Sequence, residues 1–389
     1  MKIAMVVTGG LHPSGTEQEV PSWLALFERL ARRHEIHAFV LRHLPVEQTY
    51  ALRGFTVHDL GRPSAPFGFT RMAQERALVN AMRRAGRFDL IHGFWADPAG
   101  VLAVRYGLRR RLPRIVTCDS GEFVGIPEIE YGSQRTSRGR KAVADACTAT
   151  RVHVCTQFMA SLAARHGVET TVIPLVSDAV VIGRLKPAAT RVPPTRVAAG
   201  FSRPITEAGQ PVTAPFRLLQ VASLSRVKNQ RLLIDALALV SQRIDAHLDL
   251  VGEDTLGGEL QRYASEKGLA DRVTFHGFLP QSELPARFAA ADLYAQSSLH
   301  EAAGVSVLEA AAAGVPIVGT RVGYVADWAG GRATAIADPD PVMMADAILQ
   351  LHADPARRRG LADAAAQWAR EHDADFTAGR FEDLYASVC

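Results

Sequence analysis

The sequence predicts an α/β protein made of two doubly wound parallel sheets, one after the other along the chain. Three observations lead there. Short, almost wholly apolar runs alternate with amphipathic stretches in both halves, the pattern of parallel strands covered on both faces by helices. The alternation breaks once, over residues 183–215, where six prolines fall among scattered Gly and Ala; such a backbone suits neither helix nor ladder. A chain of 389 residues is also long enough to split into two cores rather than enlarge one.

In the first half, strands are expected at Lys2–Thr8, Glu35–Leu41, Leu90–Phe94, Arg114–Thr117, Arg151–Thr156 and Thr171–Leu175. Helical periodicity fills Trp23–Arg33, Thr70–Arg84, Pro98–Arg109 and Phe158–His166 between them. After the break, strands are expected at Phe216–Ala222, Leu248–Gly252, Val273–Gly277, Leu293–Gln296, Pro316–Gly319 and Thr334–Ala337. The helices there are Gln230–Gln242, Leu260–Lys267, Val305–Ala313 and Val342–Leu351. This divides the chain into a first domain over 1–200, with 183–215 as a Pro-rich linker or loop, and a second over 216–370. Residues 371–389 form a last helix with no strand to follow, expected to cross back onto the first domain.

Composition narrows the functional classes. With 48% hydrophobic and 22% charged residues, the chain is neither disordered nor fibrous. Its four cysteines (Cys118, Cys147, Cys155 and Cys389) contain no C-x-x-C pair, which argues against a disulfide framework or zinc knuckle and fits a reducing compartment. Met1–Gly10 lacks the features of a signal peptide, and the apolar run Ala302–Gly319 is interrupted by Ser306 and Glu309, so a cytoplasmic location without a transmembrane segment is expected. Residues 1–200 carry a net +11 and the remainder −7. That asymmetry can mark an anionic partner or a membrane surface touched peripherally; a coding bias toward Arg is the simpler explanation, since only five basic residues are Lys. No aromatic-interleaved basic strand or zinc spacing points to nucleic acid.

Several signatures are missing. No G-x-G-x-x-G follows the first strand, and there is no P-loop or G-x-S-x-G elbow. His300-Glu301-Ala302-Ala303-Gly304 begins like a zincin helix, but Gly304 replaces the second ligand. Of two D-x-D triplets, Asp338-Pro339-Asp340 reads as a helix cap ahead of Pro341, and Asp373-Ala374-Asp375 as a second cap.

The informative stretch runs from Ser298 to Pro316. A short helix beginning near Gly304 and stopped by Gly314 and Pro316 puts Glu301 in the loop after a strand and Glu309 on the helix, tilted back toward its start. The free amides of Gly304, Val305 and Ser306 make an anion site there. Like charges keep both carboxylates off phosphate, but both can accept hydrogen bonds from sugar hydroxyls. A diphosphate flanked by two sugars satisfies all three features, with Glu309 on the ribose and Glu301 on the transferred sugar. Val221–Asn229 closes a strand and opens a helix at the same sheet edge, bringing Lys228 or Arg226 to the diphosphate.

At these residues the chain resembles the retaining glycosyltransferases of family four, with their GT-B architecture of two Rossmann-like domains facing a cleft. Glu301 and Glu309 match the family's E-x(7)-E motif, with Gly304 and Gly314-Val315-Pro316 around it. Leu224 and Lys228 match its G-R-L-x-x-x-K-G segment, but Ser223 stands at the usual phosphate-binding Arg, with Arg226 as its stand-in. The resemblance implies backbone at His276, Phe278 and Leu279 against the nucleotide base. In the first domain it implies an acceptor-side loop with Gly10, Ser14 and Gly15, the last letting backbone approach the donor phosphate. His92 and Trp95 fall in a D-x-x-H-x-H-like strand, and Asp119 replaces the usual active-site His, with Glu122 nearby.

The expected function is therefore transfer of a sugar, from a UDP-sugar first among nucleotide-sugars, to a hydroxyl acceptor with retention. Glu301 and Asp119 are the catalytic candidates, Glu301 as a binder of donor hydroxyls rather than a nucleophile. Neither a cofactor nor a metal is called for, because Lys228 and the amides of 304–306 carry the leaving-group charge. The rivals are a nucleotide-sugar epimerase and a non-catalytic nucleotide-sugar-binding homologue.

Overall fold

The computed structural model of the chain describes residues 1–15, 20–62, 70–178 and 214–389. The expected linker over 183–215 lies outside them except for its last two residues. The first domain contains β1 (Lys2–Val7), α1 (Pro21–Leu30), β2 (Glu35–Val40), β3 (Gln48–Leu52), β4 (Phe55–Asp59), α2 (Thr70–Ala85) and β5 (Leu90–Phe94). It continues with α3 (Val101–Arg110), β6 (Arg114–Thr117), α4 (Ser137–Ala146), β7 (Arg151–Val154), α5 (Gln157–Ala164) and β8 (Thr171–Val172). The second contains β9 (Phe216–Val221), α6 (Gln230–Val240), β10 (Ala246–Val251), α7 (Glu259–Glu266), β11 (Val273–Phe275), α8 (Leu284–Ala290) and β12 (Leu293–Gln296). There follow α9 (Val305–Ala312), β13 (Ile317–Thr320), α10 (Gly323–Asp327), β14 (Thr334–Ile336), α11 (Pro341–Ala353), α12 (Pro355–Glu371) and α13 (Ala374–Ala386).

The sheets run β3-β4-β2-β1-β5-β6-β7-β8 and β11-β10-β9-β12-β13-β14. All neighbours are parallel except β3 with β4. That hairpin was not anticipated from the sequence: its strands are short and β3 is largely exposed, so neither gives a strong apolar signal. Its turn is Arg53-Gly54, both at positive φ, the geometry of a two-residue hairpin loop.

Chain order reverses at β1/β5 in the first sheet and at β9/β12 in the second. Loops leaving the carboxyl ends of strands diverge at such points and leave a crevice for ligands. The segments 222–229 and 297–304 flank the second crevice, and 8–15, 95–100 and 118–122 surround the first. An apolar cluster runs unbroken between the domains, joining Phe94 and Cys155 to Tyr294, Tyr324 and Trp328. Both D-x-D triplets act as caps: Asp340 accepts from the amides of Val342 and Met343, and Asp373 from that of Phe376.

The last helix, α13, returns to the first domain and packs along α1, with Arg29–Asp375 (3.1 Å) and Arg33–Glu382 (2.8 Å) ion pairs beside it. Its Tyr385 enters a buried polar chain whose direction is fixed by its far end. The carbonyl of Ile173 can only accept, so His153 donates to it from Nε2 (2.8 Å). His153 Nδ1 is then the acceptor for the Thr117 hydroxyl (2.9 Å), which in turn accepts from His92 Nε2 (2.8 Å). His92 Nδ1 must accept from Tyr385 (2.8 Å). Burial pushes His153 down to about 4 and His92 well below its ordinary value, so both rings are neutral.

This corrects the reading of His92 as an acceptor-side residue. It is 0% exposed, spent between β6 and α13, and cannot touch a ligand in the cleft. Tyr385→Phe should leave a buried imidazole nitrogen without its donor and cost about 1–3 kcal/mol in chemical unfolding. An unchanged unfolding midpoint would contradict the direction derived for the chain.

Candidate functional site

The β9/β12 crevice brings together residues 73 positions apart in sequence. Lys228, in the loop after β9, pairs with Glu301 Oε1 at 2.6 Å, and Ser298 donates to the same oxygen at 2.6 Å. Both charged side chains are mostly covered, 24% and 13% exposed. The two loops are joined by the Leu299 amide donating to Val227 O at 2.8 Å, so cation and carboxylate are held on one backbone frame.

Gly304 adopts φ 86° at the head of α9, and a Cβ there would lie 2.8 Å from Gln296 Oε1; only glycine fits this entry. No side chain caps the helix, which leaves its first amides facing the crevice for an anion. Ser306 Oγ is held by Tyr294 at 2.6 Å, so that residue offers its amide. Val305 is exposed. One helical turn on, Glu309 accepts from Gln281 at 2.8 Å, and burial pushes its carboxyl up to about 7.

Arg226 stands apart from this cluster: it is largely exposed and pairs with Glu259 at 3.6 Å. Beside it a pocket of about 130 Å³ opens between Ile129, Ser225, Asn229 and Leu299. His276 donates its side chain to Asp249 at 2.7 Å and its amide to Leu250 O. That confines any contact from this segment to the backbone beyond it, around the 76% exposed Phe278 and the half-buried Leu279.

Across the cleft, Gly10 and Gly15 take φ 82° and 66° in the loop after β1. The carbonyl of Gly15 accepts from Arg53 at 3.0 Å, and Ser14 bonds His12 at 2.8 Å. Trp95, half-buried at φ 64°, packs edge-on against Trp23 with centroids 4.7 Å apart. Asp119 Oδ1 is buried with no hydrogen-bond partner among the described residues. Burial, and then the charge of Glu122, push its carboxyl up to about 8. Glu122 itself is 3% exposed, raised by burial and steadied by the amides of Ser120 and Ala96. Next to this loop a pocket of about 340 Å³ is lined by Asp97, Ser120, Tyr131, Thr136 and Arg138.

Several contacts that close the cleft escaped the sequence reading. Asp327 of α10 receives the amides of Gln157 and Phe158 at 2.8 Å each, capping α5 from the other domain. Thr156 donates to Ala302 O at 2.7 Å, and His300 Nε2 to Ser120 O at 3.0 Å. Each spans 146 residues or more, beyond any local pattern.

Residues 204–368 match the family described as Glycosyl transferases group 1, and residues 20–177 the Glycosyl transferase 4-like domain. The chain is 30% identical over 325 residues to the GDP-mannose-dependent alpha-(1-6)-phosphatidylinositol monomannoside mannosyltransferase of Mycolicibacterium smegmatis, covering 78% of each chain. It is 29% identical to the D-inositol 3-phosphate glycosyltransferase of Salinispora tropica, covering 80% of this chain and 66% of that one. Among solved structures, Anabaena HepE in complex with UDP and glucose superposes with a TM-score of 0.71 at 19% identity, covering 100% of both chains; at that identity the likeness establishes the fold.

Two carboxyls held above their ordinary values oppose folding as pH rises. Between about 4 and 8 the folded protein keeps protons on Asp119 and Glu309 that the unfolded chain releases, so their contribution to stability falls through that window. Asp119→Asn and Glu309→Gln should each melt above the parent protein at pH 8, with the gap closing by about pH 4. A gap independent of pH in a thermal-shift series would contradict the assignment.

Proposed function

The chain belongs to glycosyltransferase family four and has its two-domain GT-B architecture, and on that premise we propose that it transfers a sugar from a UDP-sugar to a hydroxyl acceptor with retention of configuration. What carries the reading is the Lys228–Glu301 pair at the β9/β12 crevice, with open helix amides on one side and Glu309 one turn beyond. A bound donor would put its diphosphate against Lys228 and the amides of 304–306, its ribose hydroxyls on Glu309 and its sugar hydroxyls on Glu301. Developing charge on the departing diphosphate is then met by a preset cation and dipole, with no metal required. Glu309, pushed up to about 7 by burial, gains polar partners when a ribose arrives.

The acceptor is read as an anionic hydroxyl compound entering by the pocket beside Ser120 and Arg138. The excess of +11 over residues 1–200 supports that choice, and it suits an acceptor presented at the cytoplasmic surface of a membrane. No helix among the described residues is long and apolar enough to cross one. The relatives' names support a phosphorylated or lipid-linked acceptor: one specifies phosphatidylinositol monomannoside and the other D-inositol 3-phosphate. They divide on the nucleotide, since the mannosyltransferase is named for GDP-mannose and the HepE complex contains UDP.

Calorimetry with UDP, GDP and ADP, each with and without magnesium, tests the donor site. One nucleotide should bind regardless of magnesium, and Glu309→Ala should weaken it by about tenfold or more, as expected for loss of a charged hydrogen bond. If a folded protein binds none of the three, the donor-site assignment fails.

A further inference from the structure

We propose that His300 is a positioning residue that ties the acceptor-side loop 119–122 to the donor site through its Nε2–H bond to Ser120 O. The inference rests on the donor-site reading above and goes beyond it, since neither the two-glutamate motif nor the cation segment gives this side chain a role.

The segment 297–304 has two faces. Ser298 and Glu301 turn to Lys228 in the second domain. His300 and Ala302, interleaved with them, turn to the first: His300 reaches Ser120 O at 3.0 Å, and Ala302 O receives the Thr156 hydroxyl. Although it lies on a loop, His300 is only 3% exposed. Its ring sits near Tyr131 (5.7 Å between centroids) and Phe158 (6.0 Å), both from the first domain. One domain's side chain is therefore seated inside the other.

The bond has a single polarity. Ser120 O can only accept, so Nε2 carries the proton, and burial lowers the His300 pKa and keeps the ring neutral. The receiving loop is itself fastened: Ser120 N donates to Glu122 Oε2 at 2.8 Å, and Gln134 to Glu122 O at 2.6 Å. On the donating side, Leu299 N is bonded to Val227 O, one residue before Lys228. A displacement of Lys228 or Glu301 on nucleotide binding thus has a short, hydrogen-bonded route to Asp119 and Glu122. Simple packing would need the ring and not the proton, which separates the two roles.

His300→Gln keeps a donor nitrogen near the Nε2 position, whereas His300→Phe keeps the ring and removes the donor. Hydrogen exchange is followed by mass spectrometry over 119–134, 223–230 and 298–309, without nucleotide and with UDP, GDP or ADP. Without nucleotide, exchange over 119–134 should be about fivefold faster in His300→Phe, as loss of one hydrogen bond predicts, and close to the parent in His300→Gln. In the parent and His300→Gln, the nucleotide that binds should slow all three segments; in His300→Phe it should slow only the second and third. Parent-like exchange over 119–134 in His300→Phe overturns the proposal, as does slowing in the parent protein confined to the second domain. If no nucleotide slows 298–309, the donor-site reading fails, while the nucleotide-free comparison still decides whether His300 holds the loop.

Discussion

The cleft depends on the segment from Ser297 to Gly304, because it must satisfy two domains at once. It leaves β12 at a point where neighbouring loops diverge, and most of it is buried. Its polar side chains alternate between partners on either side: Glu301 with Lys228, His300 with Ser120. Gly304 then turns the chain into α9 at a positive φ that other residues resist. A side chain at Gly304 would be strained by that φ and would come within 2.8 Å of Gln296 Oε1.

Around that segment the protein keeps groups in states that do not favour folding. Burial raises the carboxyls of Glu309 and Asp119, and Lys228 is paired with the mostly covered carboxylate of Glu301. Removing charge from water costs free energy unless hydrogen bonds replace it. On the proposed reading, a polyhydroxylated, doubly charged donor would bring those bonds. The stability offsetting this lies elsewhere, in the apolar cluster continuous across the domains and in the fully bonded chain from Tyr385 to Ile173.

The first domain is built around its last helix. His92, Thr117 and His153 lie on three adjacent parallel strands, and a row of polar side chains at that depth needs a partner at its open end. Tyr385 provides it from 293 residues away. The crossing of α13 is therefore part of the first domain's core, fixed by hydrogen bonding as well as by the Arg29 and Arg33 ion pairs at the surface.

The sequence alone determined the two parallel sheets, because buried strands and amphipathic helices write their periods into consecutive residues, and it located Glu301, Glu309 and Lys228, because Gly, Pro and charge mark the loops and helix starts that hold them. It did not reveal the β3–β4 hairpin, whose short edge strands need little apolar content. It gave His92 to the cleft, since a motif reports position along a strand and not which face a returning helix will cover. Tertiary structure alone decided that Arg226 pairs with Glu259 while Lys228 meets Glu301, and that His300, Thr156 and Asp327 join the domains. The three inter-domain contacts depend on approach between segments 146 to 180 residues apart, and a local period contains no information about which distant carbonyl a donor will meet.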